Sequence, residues 1–198
     1  AQAEGEPADT QAPEAFLRSG LETLNEVMQR LFGVLAIRPH AEHERLIRSA
    51  HRFRSTDQIG FFGLAKDLTR ILVDNMDSNA LQKVVPLQKG EKRGSLKSLQ
   101  AVLGTVLSQE HAHHLMSPLF GIYDLRLADA HLPPADLDQA YLNVKVDRTQ
   151  PFVTQGAQLI FVIVNQLHLI ATALDYAKSH KTNGTSDPSI PSTAQPPR

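Results

Sequence analysis

Apolar residues recur at every third or fourth position through most of the chain, and no two segments alternate with period two. Such spacing is what helices show when each buries one stripe. It is plainest where Phe16, Leu17, Leu21, Leu24, Val27, Met28, Leu31 and Leu35 share a face, with Pro13 near the first-turn position. It returns at Phe61, Leu64, Ala65, Leu68, Ile71 and Leu72, and again at Leu96, Leu99, Val102, Leu103, Val106 and Leu107. Leu119, Ile122, Tyr123, Leu127 and Ala130 form the next stripe. Phe152, Leu159, Ile163, Leu167, Ile170 and Leu174 form the last, widened by Val162, Val164 and Ala171, which predicts a central helix over about 151–179. The run LIFVIV at 159–164 is β-branched enough for a strand, but it has no second strand to join. The fold expected is therefore an all-α helical bundle without internal repeats.

Start and stop signals divide the bundle. Thr56 and Ser95 are placed to cap helices, and Ser117-Pro118 reads as a start with Ser at the cap and Pro at the first helical position. Leu132-Pro133-Pro134 reads as the stop of that helix. Residues 40–54 carry fewer apolar groups and predict a more exposed helix, with short helices at 78–85 and 135–143. Residues 1–12 and 181–198 are rich in Pro, Ser, Thr and Ala with almost no large apolar groups. They read as flexible tails on one domain spanning 13–180.

Composition narrows the chemistry. The 198 residues hold 20 basic and 21 acidic side chains, a net charge of −1, which excludes a uniformly basic, phosphate-coating protein. With no Cys there is no disulfide, thiolate metal site or cysteine nucleophile. No phosphate-cradling Gly-rich loop and no G-x-S-x-G elbow occurs. Asn165, Gln166 and His168 interrupt the most apolar stretch, 159–174, which falls short of the about 20 apolar residues that cross a bilayer. It predicts a core helix and no membrane partner, and with no targeting signal visible and no Cys a cytoplasmic location of bacterial type is expected.

One segment carries candidate chemistry. In FGIYDLRLADAHLPP, Arg126 and His131 lie five residues apart, before a Pro-Pro break. An imidazole titrates near neutral pH and suits proton transfer, and a guanidinium fork matches a phosphate. Arg126 and Asp129 also have the spacing of an ordinary ion pair on a helix surface. The R-x(4)-H pattern, late in an all-helical chain, resembles the HEPN family (higher eukaryotes and prokaryotes nucleotide-binding domains). The resemblance implies a helical bundle that cleaves RNA without metal or cofactor, two motifs meeting across a homodimer. It makes His131 the general acid/base and Arg126 the phosphate stabiliser, with Asp129 or Tyr123 orienting the His. It also implies a toxin or anti-phage defence effector, with an antitoxin or further domains as partners. Leu127 stands where active members often have a polar residue after the Arg, and Asp129 is available to replace it.

Three other features offer chemistry or contacts. His111, His113 and His114 are close enough to ligate a transition metal, but no HExxH or third-ligand signal accompanies them, so no metal is expected. Lys83, Lys89, Lys92, Arg93 and Lys97 form a basic, Gly-containing stretch. Of these, Lys89, Lys92 and Arg93 are the candidates for RNA phosphates, and no aromatic residue interleaves with them. His168 reads as a core histidine with a local partner. The competing function is a non-catalytic dimerisation or interaction module of a larger protein.

Overall fold

Leu17, Leu21, Leu24, Val27 and Met28 fall on one stripe of α1 (Leu17–Phe32), and all are buried. A short 3-10 turn with Pro13 at its start precedes the helix. Gly33 ends it in the left-handed conformation, φ 69°, which glycine adopts without strain. The predicted stripe therefore stops short of Leu35, which is exposed.

The computed structural model describes residues 11–39, 42–128 and 133–183. Among the described residues the chain is all helical, with no strand; Ile37 and Met76 make one isolated bridge. After α1 come α2 (His43–Ser49), α3 (Gln58–Thr69), α4 (Ser78–Val84), α5 (Ser95–Leu103), α6 (Gln109–Leu125), α7 (Pro134–Val144) and α8 (Phe152–Asn183). α8 is the long central helix. It runs alongside α1 in the same direction: Leu167 packs at Gly20, Asp175 pairs with Arg30, and Lys178 Nζ donates to the Leu31 carbonyl. Leu159, Ile163, Leu167, Ile170 and Leu174 point into a core shared with Leu64, Leu68, Leu99, Leu119 and Ile122. The segment 159–164 is thus helical, as the lack of a partner strand required. Phe152–Ser179 is long and apolar enough to cross a membrane, but half of its apolar window is buried inside the bundle.

Several boundaries differ from the sequence expectation. Asp57, not Thr56, caps α3, its carboxylate accepting from the Gly60 N–H. Ser95 is the first residue of α5 rather than its cap, which is Gly94. The helix expected over 40–54 is only His43–Ser49, followed by a 3-10 turn at Arg52–Arg54.

The largest correction is at Ser117-Pro118, which starts nothing. Ser108 caps α6 by accepting from the His111 N–H, and Pro118 lies inside the helix. A helix-interior proline has no N–H for the carbonyl four residues back. Here the neighbouring carbonyls take side-chain donors: Ser117 Oγ donates to His113, and buried Gln166 of α8 donates to Leu115. The helix also ends earlier than expected, at Leu125, with Arg126 as its C-cap and a turn over 126–128. Leu132-Pro133-Pro134 is therefore not its stop. Pro134 instead opens α7, at the first helical position.

Candidate functional site

Arg126 leaves the end of α6 and meets two partners. Its guanidinium lies over the Tyr123 ring, 4.7 Å from the centroid, and Nη1 donates to both Asp74 oxygens at 2.9 and 3.1 Å. Tyr123 comes from the preceding turn of α6. Asp74 comes from a π-helical turn, Arg70–Asp74, that continues α3. Thr69, fully buried, fixes that turn against α6 by placing its hydroxyl between the Ala65 and Ile122 carbonyls. The Arg126 side chain is only 24% exposed, and its side-chain hydrogen bonds to the described residues leave from Nη1. A ring and a carboxylate thus hold the fork, and neither Nε nor Nη2 makes a hydrogen bond to the described residues.

The other half of the motif, His131, lies outside the described residues, and so does Asp129. Tyr123 contacts Arg126, so its place in this site is as a platform for the arginine. Two carboxylates flank the segment. Asp124, half-buried on the last turn of α6, has its carboxyl pushed up by burial and, second, by the charge of Asp136 on the first turn of α7. α7 approaches α6 closely because residue 121 is glycine. A Cβ there would lie 2.7 Å from Val144 Cγ1 and 3.0 Å from the Ala140 carbonyl.

The basic stretch divides into two kinds of residue. Lys89 and Lys92 are exposed. Arg93 is drawn inward: Nε and Nη2 donate to the Glu91 carboxylate and Nη1 to the Val85 carbonyl, leaving its side chain 10% exposed. Arg93 thereby braces the loop, and its fork is already occupied. Lys97 leans the other way, its Nζ 5.3 Å from the centroid of the Phe120 ring of α6. Phe120 and Tyr123 lie about one turn apart on α6. Aromatic residues therefore do accompany the basic stretch, brought from α6 to α5. Nothing near Lys97 in the sequence could have shown this, because the partner is 23 residues away.

His111, His113 and His114 are exposed on the first turns of α6, where His113 packs against Phe120. Among the described residues no three His, Asp or Glu side chains are gathered to hold a metal ion. His168 is half-buried rather than deep in the core, at the edge of a small cavity with Phe16, Phe161 and Val164. Sequence reasoning missed Asp74 and Asp124. Asp124 had a local signal, two residues before Arg126, whereas Asp74 is brought in only by the packing of α3 on α6. The chain matches no protein-family model, no curated protein and no solved structure.

Proposed function

We propose that the chain is a metal-independent ribonuclease of HEPN type, working as a toxin or anti-phage effector in the cytoplasm, with Arg126 and His131 as its catalytic pair. The single observation that carries this is the setting of Arg126: ring-stacked, held by Asp74, and presented at the start of the segment that contains His131. A fork so held loses little freedom on meeting a phosphate. In the proposed step the RNA 2′-hydroxyl attacks the adjacent phosphorus and the bond to the 5′-oxygen breaks. One histidine takes the 2′ proton and another protonates the leaving 5′-oxygen. Two copies of the chain supply the two histidines. Arg126 offsets the charge that builds on the phosphoryl oxygens. The predicted products carry 2′,3′-cyclic phosphate and 5′-hydroxyl ends, to be read by mass spectrometry of a cleaved oligonucleotide. Products with 3′-hydroxyl and 5′-phosphate ends would require water as the nucleophile and overturn the reading.

A second reading, an interaction module without catalysis, is favoured by α8. From Phe152 to Leu174 the helix contains no Asp, Glu, Lys or Arg, and within that span Phe161 and Leu169 are exposed at 62% and 45%; Tyr176, 66% exposed, follows just beyond it. A charge-free exposed stripe of this kind suits a protein partner. Phe161→Glu with Tyr176→Glu separates the two readings. Under the module reading the pair abolishes self-association or partner capture in light scattering, and wild type never cleaves RNA.

A further inference from the structure

Between α5 and α6 lies a cleft of about 220 Å³, walled by Val73, Leu96, Phe120 and Tyr123 and edged by Ser95 and Lys97. Its lining is mostly apolar with one cation, Lys97; Arg126 stands beyond Tyr123, with Nη1 on the Asp74 carboxylate. Each flanking cation rests on one of the two rings: Lys97 on Phe120 and Arg126 on Tyr123. The rings are about one turn apart, so the two cations succeed each other along α6. Lys97 also borders a wider groove of about 550 Å³ with Lys92, which carries positive charge away from the cleft. Glu91, the acidic residue of that groove, is neutralised by Arg93.

Apolar walls for a planar ring, one cation at the edge and a guanidinium beyond Tyr123 with Nε and Nη2 not bonded to the described residues are the recognition chemistry of a nucleotide in a single strand. A simple anion would not need the rings, and an apolar ligand would not need the cations. A duplex keeps its base faces stacked and cannot offer one to the cleft. We propose that the α5–α6 cleft seats one unpaired RNA base, with Lys97 and Arg126 on the phosphates at either side of that nucleotide. The choice of RNA as the ligand rests on the ribonuclease reading; the cleft and its cations do not.

The test is fluorescence anisotropy of a labelled uridine decamer in EDTA, titrated with the full chain carrying His131→Ala so that the RNA stays intact. Lys97→Ala and Tyr123→Leu are added singly to that background. Loss of base stacking predicts at least about 5-fold weaker binding for Tyr123→Leu. Lys97→Ala weakens binding and lowers the dependence on salt by about 0.7 log units per log unit of salt, one phosphate contact. Lys66→Ala, an equal charge change on the exposed side of α3, leaves binding as it was. Because Lys97 is exposed, its variant carries the test even if Tyr123→Leu melts early. Binding unchanged by Lys97→Ala, binding of a duplex as tight as of the single strand, or no binding at all would each overturn the proposal. Binding that needs Lys97 and Tyr123, from a wild type that cleaves nothing, keeps the cleft and removes the ribonuclease. Cleavage indifferent to both residues does the reverse.

Discussion

The environment of Arg126, a ring on one side and a carboxylate on the other, says which replacement is informative. Arg126→Lys keeps the charge but loses the planar stack on Tyr123 and the fork. The expected fall in cleavage rate is about 100-fold or more, near that of Arg126→Ala, as for other lost transition-state donors. A lysine variant with wild-type rate would show that only charge matters there. Asp124 gives a prediction of a different kind. Its carboxyl is pushed up, chiefly by burial, so the folded chain holds that proton more tightly than the unfolded one. The stabilising contribution is present at acid pH and is lost as pH rises through the raised value. Asp124→Asn should therefore raise the melting temperature at pH 7 to 8 and leave it nearly unchanged at pH 4. A variant destabilised equally at both values would contradict this. The sequence showed Arg126 as a fork able to meet a phosphate. It could not show Asp74, whose carboxylate is 52 residues distant and reaches Arg126 only through the π turn after α3.

At the scale of elements, two contacts fix where the site stands. Gly121 lets α7 lie close on α6. Gly121→Ala puts a Cβ within 2.7 Å of Val144 Cγ1 and should cost about 1–3 kcal/mol in denaturant unfolding, the usual range for overpacking. An unchanged midpoint would show that the helices part easily. Gln166 joins α8 to α6 at the Leu115 carbonyl, beside Pro118. Gln166→Leu keeps the volume but removes the side-chain donor to that carbonyl, a loss of about 1 kcal/mol, the net worth of one hydrogen bond. Periodicity made the helices legible, because the stripe of α1 or of α8 is a property of local spacing. Their ends were less so. Ser117-Pro118 carries every local mark of a helix start, yet α6 passes through it, with Ser117 and Gln166 bonded to the carbonyls of His113 and Leu115 on either side of His114. Gly94 begins α5 where Ser95 offered the better cap. The Gln166 contact lies 51 residues from Leu115, outside any local window.

At the scale of the whole molecule, the bundle places its chemistry and its least charged surface on different helices. The candidate site gathers at the C-terminal end of α6, while α8 turns an uncharged stripe outward. Pairing of two histidines requires two copies of the chain, so light scattering should give a dimer at the concentrations where RNA is cut. A strict monomer with full activity would contradict the shared site. The most direct test of the central claim is cleavage of end-labelled structured and unstructured RNA in EDTA, with wild type beside His131→Ala. Cutting by wild type alone is expected, because the chelator leaves Arg126 and His131 untouched and the variant controls for contaminating nuclease. Equal cutting by both proteins, or cutting that EDTA stops, would contradict it.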